Sequence, residues 1–116
     1  MKRIIHVDNS QFFRKQVRIF LEAEGFEVES FDSAREANIA IGSGLADMVI
    51  MGLAFADHDG EEFLARTVES FAGPVIVLSS TTDESKIEKL ISLGARAAVS
   101  KLGSWKADLK PYLSAV

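Results

Sequence analysis

Short apolar runs alternate with stretches of helical period along the whole chain. The run IIHV, Ile4 to Val7, predicts a first strand. Behind it Phe13, Val17, Phe20 and Leu21 fall at i, i+4, i+7 and i+8, one face of a helix that ends near Gly25. FEVESF, Phe26 to Phe31, alternates apolar and polar as a second strand. Ser33 and Glu36 then form a Ser-x-x-Glu capping box, opening a helix to about Ile41. Met48 to Met51 is a continuous apolar third strand. Asp59 precedes Glu61 and Glu62, an acidic first turn suited to a helix N-terminus, with Phe63, Leu64 and Val68 on the inner face.

The second half repeats the alternation. Pro74 opens a fourth strand, Val75 to Leu78. Thr81 and Glu84 read as another capping box, and Ile87, Leu90 and Ile91 give that helix its stripe before Gly94 stops it. Ala97 to Val99 is a short fifth strand. A last helix carries Trp105, Leu109, Tyr112 and Leu113, and Pro111 inside it should kink or shorten it.

Five strand–helix units predict a parallel sheet with helices on both faces. Runs one, three and four are nearly all apolar, as strands covered on both sides must be. Run two carries Glu27 and Glu29, and run five is short with Arg96 beside it, as suits sheet edges. Edges at two and five give the order 2-1-3-4-5, a flavodoxin-like doubly wound α/β sheet. Its switch point lies between strands one and three, so a site should form where Val7-Asp8-Asn9 and Met51-Gly52-Leu53 end those strands.

Composition narrows the function classes. The 116 residues make one domain, 1–116, with no repeat or linker; 47% are apolar and 26% charged, ordinary for a globular protein. The absence of cysteine excludes disulfides and thiolate metal sites. A net charge of −4 argues against nucleic acid as a partner of this domain. No apolar run approaches the ~20 residues of a membrane span, and a cytoplasmic setting is expected.

The residues converging on the switch point are Asp8 and Asn9 after strand one, Gly52 after three, Ser79 and Ser80 after four, and Lys101 after five. An acid, a hydroxyl and a lysine at one rim are the parts of a phosphoryl or metal site. The motifs KRIIHVDNS, DMVIMGLAFADHDG, PVIVLSS and GARAAVSK, in this order and spacing, resemble the CheY-like receiver domain of two-component response regulators over about the full length. The resemblance implies that Asp8 and Asn9 occupy the positions of the acidic pair, and Gly52 that of the phosphoacceptor aspartate. It likewise places the phosphoryl-clamping hydroxyl at Ser79, the lysine at Lys101, the aromatic switch at Ala98 and the proline after the lysine at Leu102.

Four of those positions, Asn9, Gly52, Ala98 and Leu102, depart from the pattern. Glycine at 52 has no side chain to accept phosphate. Asn9 and Gly52 leave Asp8 as the one carboxylate, so Mg²⁺ binding is expected to be weak or absent. Ala98 has no ring to swing. The chain therefore reads as a degenerate, non-enzymatic pseudo-receiver of the phosphorelay type, with no catalytic residue, acting by protein contact. The family's helix 4–strand 5–helix 5 face, which serves dimerisation or output, offers Lys86, Lys89, Arg96, Trp105 and Lys106 here. It would take a protein partner or a second copy, since Trp and Arg favour binding hot spots.

Plainer roles compete at several positions. Asp8 and Asn9 are also good caps for the first helix, and Lys101 suits a salt bridge to Asp8. His6 is expected to be a hydrogen-bonded core residue, His58 a solvated loop residue, and Trp105 is equally suited to packing the last helix. Asp57, five residues past Gly52, is placed to reach toward the site and restore charge; phosphorylation at Asp57 or Asp8 is the second reading. Flavin or nucleotide binding is the third. The loop Asp8 to Gln11 speaks against it, having no glycine and opening with an anion where phosphates need free amides.

Overall fold

The computed structural model describes residues 1–114. Its strands are β1 (Arg3–Val7), β2 (Glu27–Phe31), β3 (Met48–Met51), β4 (Val75–Ser79) and β5 (Ala97–Ser100). Its helices are α1 (Gln11–Ala23), α2 (Ala34–Gly42), α3 (Gly60–Ser70), α4 (Glu84–Ser92) and α5 (Trp105–Leu113). All strand pairs are parallel and the order is β2-β1-β3-β4-β5, the expected flavodoxin-like arrangement.

Strand period sorts the core into two layers. Ile5, Val7, Val49, Met51, Val75 and Val77 face α2, α3 and α4, where Ala37, Phe63, Leu64 and Leu90 meet them. Ile4, Met48, Ile50, Ile76 and Leu78 face the other way, onto Val17 and Leu21 of α1 and Leu109 and Leu113 of α5. β1, β3 and β4 are covered on both sides, which is why their sequences read as unbroken apolar runs. The β2 edge is closed by charge, Arg3 reaching Glu27 at 3.1 Å and Glu29 at 3.3 Å.

The helix ends follow side-chain capping, with two corrections to the sequence reading. α1 is capped by Ser10, whose hydroxyl accepts the Phe13 amide, and not by Asp8 or Asn9. α4 is capped by Asp83, which accepts from Ser85; Thr81 lies upstream, at the rim of the site. A carboxylate immediately before the helix reaches its orphan amides and displaces the more distant Thr81 from that task. Ser33 and Asp59 cap α2 and α3 as the pattern requires. Pro111 sits in the final turn of α5, which ends at Leu113. Gly94, at φ +111°, ends α4 in the backbone region that glycine adopts without strain.

Candidate functional site

The C-terminal ends of β1, β3, β4 and β5 surround a recess of about 230 Å³. Asp8, Asn9, Gly52, Ser79, Ser80 and Lys101 all line it, so the topology brings the sequence-predicted rim together. Lys86 and Thr81 line it too. Lys86 thus stands at the mouth of the recess, beside residues of another group from those it was placed with on the α4–β5–α5 face.

Asp8 is the hub. Its side chain is 1% exposed, and Oδ1 accepts the Ser10 amide at 2.8 Å in a turn that lets the chain enter α1. Lys101 Nζ stands 2.6 Å from Oδ2, an ion-pair distance. The ammonium also lies 4.5 Å from the centre of the Phe13 ring, a cation–π contact that orients it from the α1 side. Arg14 donates to the Asp8 carbonyl at 2.7 Å. Sequence reasoning passed over Arg14. The signal was its place one turn into α1 on the side facing β1, where an arginine can reach back to the strand end.

Gly52 is buried at the floor, its amide bonded to the Val7 carbonyl at 2.9 Å. A Cβ built at this position would lie 3.3 Å from Asp8 Oδ2 and 3.5 Å from its Cγ. Any side chain at 52 therefore meets the Asp8 carboxylate where Lys101 now holds it. Ser79 is buried, and its hydroxyl accepts the Thr81 amide at 3.5 Å. Ala98 packs, half-buried, against the core layer under α4, and Leu102 is 74% exposed beyond Lys101. Among the described residues no three His, Asp, Glu or Cys side chains cluster closely enough to hold a metal ion.

His6 departs from expectation. It is fully buried, as foreseen, yet neither ring nitrogen has a hydrogen-bond partner among the described residues; the nearest anion is Asp8 Oδ2 at 4.0 Å. A strand interior offers its backbone groups to neighbouring strands, leaving no free acceptor for the ring. Burial drives its pKa down from 6.5 to about 4, against the opposing pull of Asp8 and with help from Lys101, Arg14 and Arg18.

Asp57 is not a lining residue of the recess. Its carboxylate accepts the amides of Ala34 and Arg35, at 3.2 and 3.0 Å, and the Arg35 bond leads the effects that hold it below the usual carboxylate range. His58 is about a third exposed in the same loop, 4.0 Å from Asp57. On the α4–β5–α5 side, Lys89 pairs with Glu61 of α3 at 2.8 Å, while Arg96 and Lys106 are exposed. Trp105 is half-buried edge-on against Phe13 and Phe20 of α1, with ring centres 6.2 and 5.6 Å apart. It packs α5 against α1.

Among the described residues no helix is long and apolar enough to cross a membrane. Residues 4–108 match the family model described as the response regulator receiver domain. The KDP operon transcriptional regulatory protein KdpE of Escherichia coli is 29% identical, over 97% of this chain and 52% of that protein. A protein-glutamate methylesterase/protein-glutamine glutaminase of Anaeromyxobacter dehalogenans is 33% identical, over 95% of this chain and 33% of that protein. The chain thus spans about half or less of these curated relatives. Among solved structures, the BeF3-activated receiver domain of Klebsiella pneumoniae RstA superposes with a TM-score of 0.90 at 16% identity, covering 98% of this chain and 97% of that one. Chemotaxis protein CheY4 of Vibrio cholerae gives 0.86 at 24% identity, covering 100% and 99%. With its sheet order and its family match in agreement, the chain belongs to the response regulator receiver domain family.

Proposed function

We propose that this receiver domain signals by protein contact, without aspartyl phosphorylation. One observation carries the reading: Gly52 lies buried at the C-terminal end of β3, where the family's phosphoacceptor is expected, and offers no nucleophile. The nearest carboxylate, Asp8, is occupied by the Ser10 amide and the Lys101 ammonium. Among the described residues Asp8 is also the one carboxylate on the recess, so Mg²⁺ is held weakly if it enters. The domain has no catalytic role in this reading, and Ala98 gives phosphate no aromatic lever. Its partner, another protein or a second copy of the chain, docks on the α4–β5–α5 face, where Arg96 is exposed and Lys106 is exposed with its ammonium 5.6 Å over the Trp105 ring.

The test is exposure to acetyl phosphate, and separately to beryllofluoride, with saturating Mg²⁺. Intact-mass measurement is expected to find no phosphoryl adduct, and fluorine NMR no bound beryllofluoride. Stoichiometric labelling at Asp57 or Asp8 would establish instead the second reading, a phosphorylatable regulator with a displaced acceptor.

A further inference from the structure

The loop between β3 and α3 is built as a closed bracket. At its neck Ala54 and Asp59 form an isolated antiparallel bridge. Gly60 packs its bare α-carbon face against the Leu53 backbone, where a Cβ would run into the Leu53 carbonyl oxygen. At the tip, Asp57 reaches out to a different element. Its Oδ1 and Oδ2 accept the amides of Ala34 and Arg35, the first two residues of α2. Ser33, the local cap, takes the next two amides, Glu36 on its hydroxyl and Ala37 on its carbonyl. A helix start exposes four orphan donors. Here one of them, Glu36, is closed locally and two, Ala34 and Arg35, by a carboxylate from a distant loop, while the Ala37 bond is the helix's own first. The base of that same loop, Leu53 and Ala54, forms a wall of the recess that holds Asp8 and Lys101.

We propose that Asp57 is a latch that ties the β3–α3 loop to the first turn of α2, so that the wall of the recess and the start of α2 loosen or tighten as one unit. A partner that pulls on α2 then changes the recess wall, and an occupant that displaces the wall frees α2 to the same extent, since coupling between two sites is reciprocal. The latch stands on the hydrogen bonds and the loop geometry, and holds whether or not the domain is phosphorylated elsewhere.

Hydrogen exchange on three variants separates a latch from an ordinary cap. Asp57→Ala is expected to speed exchange in the 53–59 loop and at the Ala34 and Arg35 amides together, roughly two- to thirtyfold, the span that loss of a helix cap produces. Asp57→Asn, which keeps one oxygen acceptor, should fall between the parent and Asp57→Ala in both segments. Ser33→Ala frays the same helix end from the local side, and should speed α2 while the loop keeps its parental rate. Fraying of α2 in Asp57→Ala with an unchanged loop would reduce Asp57 to a cap and overturn the latch. Equal loosening of the loop by Ser33→Ala would overturn it as well, by showing that any damage to α2 spreads to the recess wall.

Discussion

Lys101 and Asp8 form a charge pair in which both partners are largely removed from water, 12% and 1% exposed. Removing one partner of such a pair strands the other, at a cost of up to ~3 kcal/mol. Lys101→Ala is therefore expected to destabilise the fold by about 2–3 kcal/mol, and much less when Asp8 is already alanine. A double-mutant cycle in urea measures the difference directly, and strictly additive losses would show that the contact carries no energy. His6 gives a pH dependence whose sign follows from its burial. Its folded pKa of about 4 lies below the ordinary 6.5, so the unfolded chain takes up the proton first. That contribution to stability is complete above pH ~6.5 and is lost as the pH falls toward 4, amounting to about 2 kcal/mol between pH 7.5 and pH 5. Urea titrations at those two pH values should show the loss, and His6→Leu should shrink it. An unchanged slope in His6→Leu would assign the acid sensitivity to carboxylates elsewhere.

At the scale of elements, what the sequence made legible was whatever depends on period and local chemistry. The apolar runs located all five strands to within a residue or so, and Ser33 and Asp59 marked their helix starts. Distant partners were illegible. Asp57 carries no local sign that its amides lie at the start of α2, some twenty residues upstream, and Asp83 took over the cap that spacing alone assigned to Thr81. His6 was legible as buried but not as unpartnered, because bonding depends on what the neighbouring strands leave free. Gly60 was legible only as the last residue of the DMVIMGLAFADHDG motif, yet its role is steric. Gly60→Ala would force a methyl within 2.6 Å of the Leu53 Cα, and is expected to cost about 1–3 kcal/mol as the bracket opens. Thermal unfolding of that variant, with exchange rates in residues 53–59, checks both the cost and its location.

For the whole molecule, the two-layer core fixes the strand ends and thereby makes the rim whatever its side chains are. Ile5, Val7, Met51 and Val77 on one face, and Ile4, Ile50 and Leu78 on the other, hold β1, β3 and β4 in register without help from a side chain at position 52. The walls of the recess thus do not depend on which side chain stands at 52, which is why sheet order and site position could be read from pattern while the bonding within the site could not.

The close approach of Asp8 to Gly52 bears on what a side chain at 52 would meet. An aspartate restored at 52 alone would place its Cβ 3.3 Å from an existing carboxylate oxygen and set two anions against one lysine. A single substitution is thus expected to lower stability without returning a usable ion site. Gly52→Asp combined with Asn9→Asp supplies enough oxygen ligands for Mg²⁺ to offset the repulsion, and calorimetry should detect binding that neither single variant shows. No gain in the double variant would mean that Lys101 holds Asp8 too firmly for an ion to enter. If the gain appears only in the double variant, the parent and the ion-competent chain are separated by a mutational valley. The Lys101–Asp8 pair would then act as a ratchet, since Gly52→Asp taken alone sets a second anion against one lysine.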